Sequence, residues 1–495
     1  MEFAGYPGSE RNVDGKLPAS VQASSLNPTE SDEAKADAFA GLLSLLNPDE
    51  IITPKSPDYT KCIQTWAAQK QLHPRIVVWP TSVECLSRVI SHLYSADLDF
   101  AIYGHGFMSA SANDVLVNMA AFNDFHFDKH SELVTVGAGQ AWRDVYRKLR
   151  NVAPEYAVVG SRTPAVGVAG TIMTGGQSWL SGEHGCISDP ANMLDAKVVL
   201  YDGSVVWASS QPDLLWALRG GGGAVVQVVL RVFKYPQNIW AGPILIPRDR
   251  LEQLADGVAK FVSQPVDPKV TMLLYVVKKR LLASMGAQSD MLLIHAFDAL
   301  GEAHGRSSFR WALDIPGAID QTKMTNLTGV IGLQDKADVV KGSMKQFWAP
   351  LMLPELTKET VMNAIEWSEE IQRLDESLAD CTYLILGLLS MCDPAGSASG
   401  CAWPRPKGMR HFVLLGTGCP SDAGPEKERL AQDLAIQSAS RVLGSNGEPH
   451  RAPSGLEDFQ DIHKIWGPHF PRLQALRRQY DPRARFKGAI PVELK

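Results

Sequence analysis

Hydrophobic positions in this chain first repeat with a helical period and then break into short apolar runs. Phe39, Leu42, Leu43 and Leu46 fall at i, i+3, i+4 and i+7, with Pro48 just beyond. That spacing predicts a helix with one buried stripe. Residues 1–30 are polar and rich in Pro, Gly and Ser, as a loose leader would be, so 1–55 reads as leader plus helix. From residue 75 the period changes. Arg75–Trp79 is a mostly apolar run closed by Pro80, which predicts a buried strand, and Ser82 stands where it would cap a following helix. Val83, Leu86, Val89 or Ile90, and Leu93 form the inner face of that helix. Phe100–Tyr103 predicts the next strand and runs straight into Gly104-His105-Gly106. Val115–Asn118 and Leu133–Val136 have the same character, and a helix after Trp142 carries Val145 and Leu149 on one side. Ala196–Tyr201 reads as a strand turning at Asp202-Gly203, a hairpin dipeptide.

A second region opens near Pro236. There the strand-like runs Val270–Val277, Met291–Ala296 and His411–Gly416 alternate with amphipathic helices over Leu251–Val262 and Lys358–Leu374. The fold class is therefore α+β: a glycine-looped domain, then a sheet covered by helices. The Pro/Gly-rich stretch Cys392–Gly408 and the segment Gly418–Gly424 are expected to be surface loops.

Length and composition narrow the class. A chain of 495 residues fits two to three domains, and 45% hydrophobic with 21% charged residues is ordinary for a globular protein. A net charge of −6 argues against a broad nucleic-acid footprint. Seven scattered cysteines without a Cys-x-x-Cys pair argue against a disulfide framework or a zinc site. His184 and Cys186 are a two-ligand fragment at most, so no metal is expected. The N-terminus lacks the apolar core of a secretory signal, and no apolar run approaches the length of a membrane span, so a cytoplasmic location without a membrane partner is expected.

Three glycine-rich loops lie in the first region: Gly104–Gly106, Gly167–Gly176 and Gly220–Gly223. Glycine lets backbone N–H groups approach a pyrophosphate without obstruction by a Cβ. None of the loops has the Gly-x-Gly-x-x-Gly or Walker context, so the inference is a dinucleotide held in another way. Any one alone is weak; a run such as Gly220–Gly223 is more often a flexible turn.

In order along the chain, several segments resemble the FAD-binding domain of the vanillyl-alcohol-oxidase group, and within it the berberine-bridge-enzyme-like branch. They are His73–Ser82, Phe100–Gly106, Val136–Trp142, Thr163–Gly170 and, most specifically, Asp213–Gly223. Phe309–Pro316, Thr322–Thr328 and the tail Gln479–Phe486 continue the likeness, which is nearest to fungal secondary-metabolism members. The resemblance implies a two-subdomain PCMH-type FAD-binding domain over 56–238 and a substrate domain over 239–445 with an antiparallel sheet. It also implies a return of 446–495 to the FAD domain. It places the cofactor against Tyr103, Gly104, His105, Gly106, Phe107, Met108, Gly167, Val168, Gly170, Gly175, Gly176 and Asp189. Val168 matches the position bordering the flavin's oxygen pocket, where a small residue resembles oxidases.

The chain departs from the family at both flavin-attachment positions. The usual histidine of the pyrophosphate loop aligns with Phe107, and the usual cysteine with Thr163. His105 and Cys186 are the neighbouring substitutes, but non-covalent FAD is the expectation. About three residues are missing after Gly223 by comparison with the family, and the usual Asn-Tyr pair near the tail is replaced by Ser454-Gly455. The implied activity is oxidation of a small metabolite, such as a polyketide alcohol, or oxidative ring closure, with dioxygen as the electron acceptor. Two alternatives stay open: a cofactor-free cyclase or isomerase on the same fold, and a flavin-free binding protein. Tyr275, His295 and Tyr383, with His411, lie on second-region strands from which a catalytic base could face the flavin, although a buried Tyr or His on a strand is more often core. The sequence does not fix the oligomeric state.

Overall fold

The first sheet is set by hydrophobic runs too short to be anything but buried strands. In this computed structural model, which describes residues 28–107, 110–277, 290–334, 340–394, 396–444 and 449–487, Ile76–Val78, Val115–Asn118 and Phe100–Tyr103 pair in parallel, and Ile51–Ile52 closes one edge antiparallel. The Val83–Ser95 helix connects two of these strands. Its Ser82 cap accepts from the backbone N–H of Cys85 at 3.1 Å, and Leu86, Val89, Ile90 and Leu93 are buried beneath it. At about 1.5–3 kcal/mol for each large apolar side chain removed from water, that stripe holds the helix far more strongly than its intrinsic propensity does. The preceding helix spans Pro28–Leu43; Leu42 is fully buried, but Leu43 is 39% exposed. The expected stripe is thus narrower than its spacing suggested, because the helix ends at Leu43 and Leu46 reaches the core from the following turn.

A second sheet is antiparallel, in the order Phe125–Asp128, Leu133–Gly137, Gln227–Lys234, Met193–Val199, Val205–Trp207, with Tyr156–Val158 also paired to Gln227–Lys234. The strand after the shortened Gly223 segment keeps a regular facing. Val228, Leu230 and Val232 are in the core, and the register shift against Met193–Val199 falls between Val229 and Leu230.

The third sheet has ten strands, all antiparallel among the described residues. Side chains alternate between its faces with a period of two. Val270, Met272 and Leu274, with Leu384, Leu386, Val413 and Leu415, pack under the helices Leu251–Ser263, Lys358–Leu374 and Pro425–Leu443. Leu273, Tyr275, Ile385, Phe412 and Leu414 point the other way, toward the first half of the chain.

Two expected surface loops are surface only in part. Gly418–Pro420 completes the strand His411–Pro420, with Cys419 fully buried. In the stretch 392–408, Cys401, Ala402 and Trp403 are buried. A Cβ on Gly175 would stand 2.7 Å from the Trp403 ring, and one on Gly220 would stand 2.9 Å from the Trp403 Cβ. Both glycines have positive φ, so their backbones form a flat seat for the indole. The composition is loop-like because the seat is built of glycine.

The tail lies on the first sheet. Arg485 Nη2 donates to the carbonyls of Ala96 and Leu98, both at 2.6 Å, and Phe486 meets Phe100 edge-on at 5.5 Å. Buried Asp481 accepts from the backbone N–H of Arg485 and Phe486 at 2.8 and 3.0 Å and shapes the turn that delivers them. Among the described residues no helix is long and apolar enough to cross a membrane.

Trp403→Ala is expected to lower the unfolding free energy by about 3–5 kcal/mol, the usual cost of removing a buried large aromatic. The check is a urea denaturation midpoint. A loss below about 1 kcal/mol would show that the 392–408 segment is not part of the core.

Candidate active site

A cavity of about 1320 Å³ separates the glycine loops of the first half from the outward face of the ten-stranded sheet. Pockets for one small ligand run to about 300–1,000 Å³, so this one has room for more than a single small molecule. Its first wall is built from loop 104–107, segment 161–177 and residues 222–225. Its second wall carries Tyr275, Tyr383, Phe412 and Leu414 from the sheet, with Trp348 and the tail segment 454–460 at one end.

Of the residues implied as cofactor contacts, Gly104, His105, Gly106, Phe107, Gly167, Gly170 and Gly176 border this cavity. Tyr103, Val168, Gly175 and Asp189 do not, and Met108 lies outside the described residues. Tyr103 braces the loop from behind: its hydroxyl donates to the Gln64 carbonyl at 2.6 Å and accepts from Lys341 Nζ at 2.9 Å. Gly106, at φ +68°, sits so close to that strut that a Cβ would stand 2.7 Å from the Gln64 carbonyl oxygen. Val168 begins the short helix Val168–Met173, and with Ile172 one turn later it faces the core. Its neighbours Val166, Gly167 and Ala169 face the cavity instead, so the position bordering the open space is not the one expected. Gly175 holds Trp403. Asp189 is buried with Arg405, whose Nη2 is 3.5 Å away, and accepts from the Cys186 N–H at 2.7 Å. Burial pushes the Asp189 carboxyl up, and Arg405 draws it back.

The candidate attachment groups are each accounted for. Phe107 stacks on Trp66 with ring centroids 5.1 Å apart. His105 donates from Nε2 to the Gly139 carbonyl at 2.9 Å, and burial lowers its pKa, so the ring is neutral. Thr163 Oγ1 donates to Gln334 Oε1 at 3.3 Å. Cys186 lies away from the cavity, where its sulfur accepts from Arg405 Nη1 at 2.6 Å and burial pushes the thiol up to about 12.

Strand parity sets His411 apart from the other three sheet candidates, and position along the sheet sets His295 apart from the two tyrosines. Tyr275 and Tyr383 border the cavity. His295 does not; it lies opposite Leu273 on the neighbouring strand, edge-on to Tyr275 at 5.2 Å. His411 shares its face with Val413 and Leu415 and so lies under the helices, away from the cavity. Burial holds both histidines down at about 4 and therefore neutral. Burial pushes the Tyr275 hydroxyl up to about 12, while Arg162 beside it and Gln334, which donates to it, pull the other way. Tyr383 is pushed up to about 12 by burial.

Two observations test the cavity as a dinucleotide site. At Gly104, Gly170 and Gly222 an added Cβ would meet no atom within 4 Å, so bare backbone opens onto the cavity at all three. Gln177 Nε2, Ser454 Oγ and Gln460 Oε1 are buried in the cavity-lining residues without a hydrogen-bond partner. Buried polar atoms are rarely left unpaired in a finished structure, so they mark where a polar ligand would bond. The residues present fit FAD.

Residues 74–209 match the family model of an FAD-binding domain. A fungal relative, the FAD-dependent monooxygenase prx3 of Penicillium roqueforti, is 25% identical over 491 residues, covering 92% of each chain. Among solved structures, a berberine bridge enzyme variant superposes with a TM-score of 0.76 at 14% identity, over 92% of this chain and all of its own. Chitooligosaccharide oxidase superposes with a TM-score of 0.74 at 17% identity, over 92% of this chain and 99% of its own. The chain is an FAD-linked oxidoreductase with the berberine-bridge-enzyme fold. The cofactor-free alternatives are not favoured.

The cavity of this oxidoreductase is also bordered by residues that the sequence did not single out. Trp66, Arg162, Gln177, Gln334, Trp348 and Glu457 all border the cavity. Glu457 is buried, accepting from Lys70 Nζ at 2.5 Å and from the Trp348 N–H at 3.2 Å, and so ties three distant segments together. Arg162 alone had a local signal, as a lone cation among small and apolar residues from Val158 to Val168.

Gly104→Val is expected to leave the stability of the FAD-free protein within about 0.5 kcal/mol, because its side chain enters open space. The same change should weaken FAD binding by about ten-fold or more, equivalent to about 1.4 kcal/mol. Fluorescence titration with FAD checks both arms when paired with a urea melt. Unchanged affinity would remove this loop from the cofactor site.

Proposed function

We propose that the protein holds FAD non-covalently in the cavity and oxidises a small secondary metabolite, either an alcohol to a carbonyl or a substrate that closes a ring on oxidation, with dioxygen as the terminal acceptor. The observation that carries this reading is the placement of Tyr275 across the cavity from the open glycine faces. A proton-handling hydroxyl and a cofactor cradle share one space large enough for both ligands. The non-covalent arm rests on the attachment positions. Phe107 and Thr163 cannot make the family's bonds, His105 is committed to Gly139, and Cys186 is paired with Arg405 outside the cavity.

When bound, FAD supplies a two-electron acceptor that dioxygen can reoxidise, yielding hydrogen peroxide. The chain's own residues do the rest. Gly104, Gly170 and Gly222 leave room for the cofactor's phosphates and ring edge. Trp66, Phe107 and Trp348 give one end of the cavity a flat apolar wall suited to a conjugated ring system. Tyr275, as the phenolate that Arg162 and Gln334 favour, takes the proton from the substrate oxygen and becomes the neutral phenol. Tyr383, packed against Trp66 and Trp348, positions the substrate from the neighbouring strand.

The first test is the visible spectrum of purified protein reconstituted with FAD, followed by acid precipitation. Flavin released to the supernatant is the expected result. A yellow pellet would mean a covalent bond, and no uptake of FAD would remove the flavin reading of the cavity.

Tyr275→Phe should retain FAD and lower kcat/KM by about 10²- to 10⁴-fold, the usual contribution of general base catalysis. Because the neutral phenol is favoured up to about 12, kcat/KM in the parent enzyme should still be rising above pH 9. A bell-shaped profile centred near neutrality, or a Phe variant within three-fold of the parent, would assign the base elsewhere.

A further inference from the structure

Arg162 is a buried cation without a counter-charge. It is 7% exposed and borders the cavity. Among the described residues no carboxylate pairs with it, and its charged neighbour is only the potential phenolate of Tyr275. Arg405, buried to a similar degree, shows the contrast: Asp393 lies at 2.8 Å and Asp189 at 3.5 Å. A guanidinium cannot shed its proton in a protein, so burial does not neutralise Arg162. Desolvating such a charge is costly unless it is paired. The face of the Phe412 ring, 5.6 Å from its central carbon, offsets only part of that cost.

The direction of the side chain narrows what the missing partner is. Arg162 leaves the backbone in the first half of the chain, beside Thr163, yet its guanidinium packs against Phe412 and Tyr275 on the sheet. It therefore faces the wall with the proton-handling hydroxyl. The flat apolar wall of Trp66, Phe107 and Trp348 belongs to the same space.

We infer that Arg162 anchors an acidic oxygen of the substrate, so that this enzyme takes metabolites carrying a delocalised oxyanion, a carboxylate or the enolate of a 1,3-dicarbonyl, on a planar apolar body. The inference deepens the oxidoreductase reading above and rests on it for the word substrate. The bidentate fork of arginine matches a carboxylate or a chelating enolate, and each charge-assisted hydrogen bond is about twice as strong as a neutral one. With the anion held there, the adjacent substrate atoms lie beside Tyr275. An anion of the reduced cofactor is the other possible source of the same chemistry, and the test separates the two.

The probes are naphthoate and its neutral isostere naphthamide, titrated into the FAD-reconstituted protein and followed through the flavin absorption band. Naphthoate is expected to bind at least ten-fold more tightly than naphthamide. In Arg162→Gln that preference should fall to near one with FAD content per chain unchanged, and Arg162→Lys should keep part of it. Equal binding of the two probes, or no binding of either at millimolar concentration, overturns the inference. So does an Arg162→Gln protein that keeps the preference but loses FAD, which assigns the guanidinium to the cofactor. Should the parent take up no FAD, the same titration is read from tryptophan fluorescence, since Trp66 and Trp348 border the cavity. A preference for naphthoate there upholds the anion site while the flavin reading fails on its own, and its absence overturns both.

Discussion

The site depends on one constraint: the ten-stranded sheet is apolar on both faces, and a residue's parity decides which face it serves. In Val270–Val277, Val270, Met272 and Leu274 go under the helices, whereas Leu273 and Tyr275 face the first half of the chain and Tyr275 borders the cavity. A one-residue slip would exchange Tyr275 for Leu274 and bury the hydroxyl among aliphatic side chains. The eight-pair register between Val270–Val277 and Met291–Asp298 resists such a slip, as does the pairing with Tyr383–Leu388 on the other side. The position of Tyr275 at the cavity is thus set by backbone pairing several strands wide rather than by contacts at the site itself.

That same double burial explains what the sequence could and could not reveal. Motif order identified the cofactor class and the fold, because glycine loops and turn dipeptides are local features. The strand His411–Pro420 shows the limit. In His411-Phe-Val-Leu-Leu-Gly416 both parities are apolar, so no alternation tells which face holds the histidine. His411 looked as eligible as Tyr383, yet parity places it under the helices. Trp403 was hidden for a different reason: its seat is made by Gly175 and Gly220, more than a hundred residues away in sequence. Val168 failed on helical phase, because a motif fixes the order of residues but not which of them turns inward. The segment 454–460 was noticed only for what it lacks, whereas its Glu457 carboxylate joins the N-terminal segment to the sheet.

Without a covalent tether, as proposed, other groups must hold the cofactor. With Phe107 and Thr163 at the attachment positions, retention depends on burial and on hydrogen bonds from the cavity wall. Gln460 shows how such a wall is prepared. Its Nε2 donates to the Trp348 carbonyl at 2.8 Å, which fixes the amide and leaves Oε1 as a buried acceptor without a donor. Gln177 Nε2 and Ser454 Oγ are prepared in the same sense. Satisfying a buried polar group recovers about 1–3 kcal/mol, so three of them approach the ~8 kcal/mol of a micromolar complex before any apolar contact is counted. Phe107 itself joins Trp66 in the stacked wall, so the position that gave up the bond contributes surface instead.

Arg162 then separates this cavity from a merely apolar pocket. Stability alone would favour an uncharged residue there, since an unpaired guanidinium weakens the folded state that contains it. Retaining it beside Tyr275 makes sense where a ligand supplies the missing charge, because the desolvation cost is already met before the ligand arrives. The same pairing acts on the tyrosine: a neighbouring cation favours the phenolate, against burial that disfavours it. Binding an anion at Arg162 would weaken that help. An acidic substrate therefore has to place its anion on the far side of the guanidinium from Tyr275.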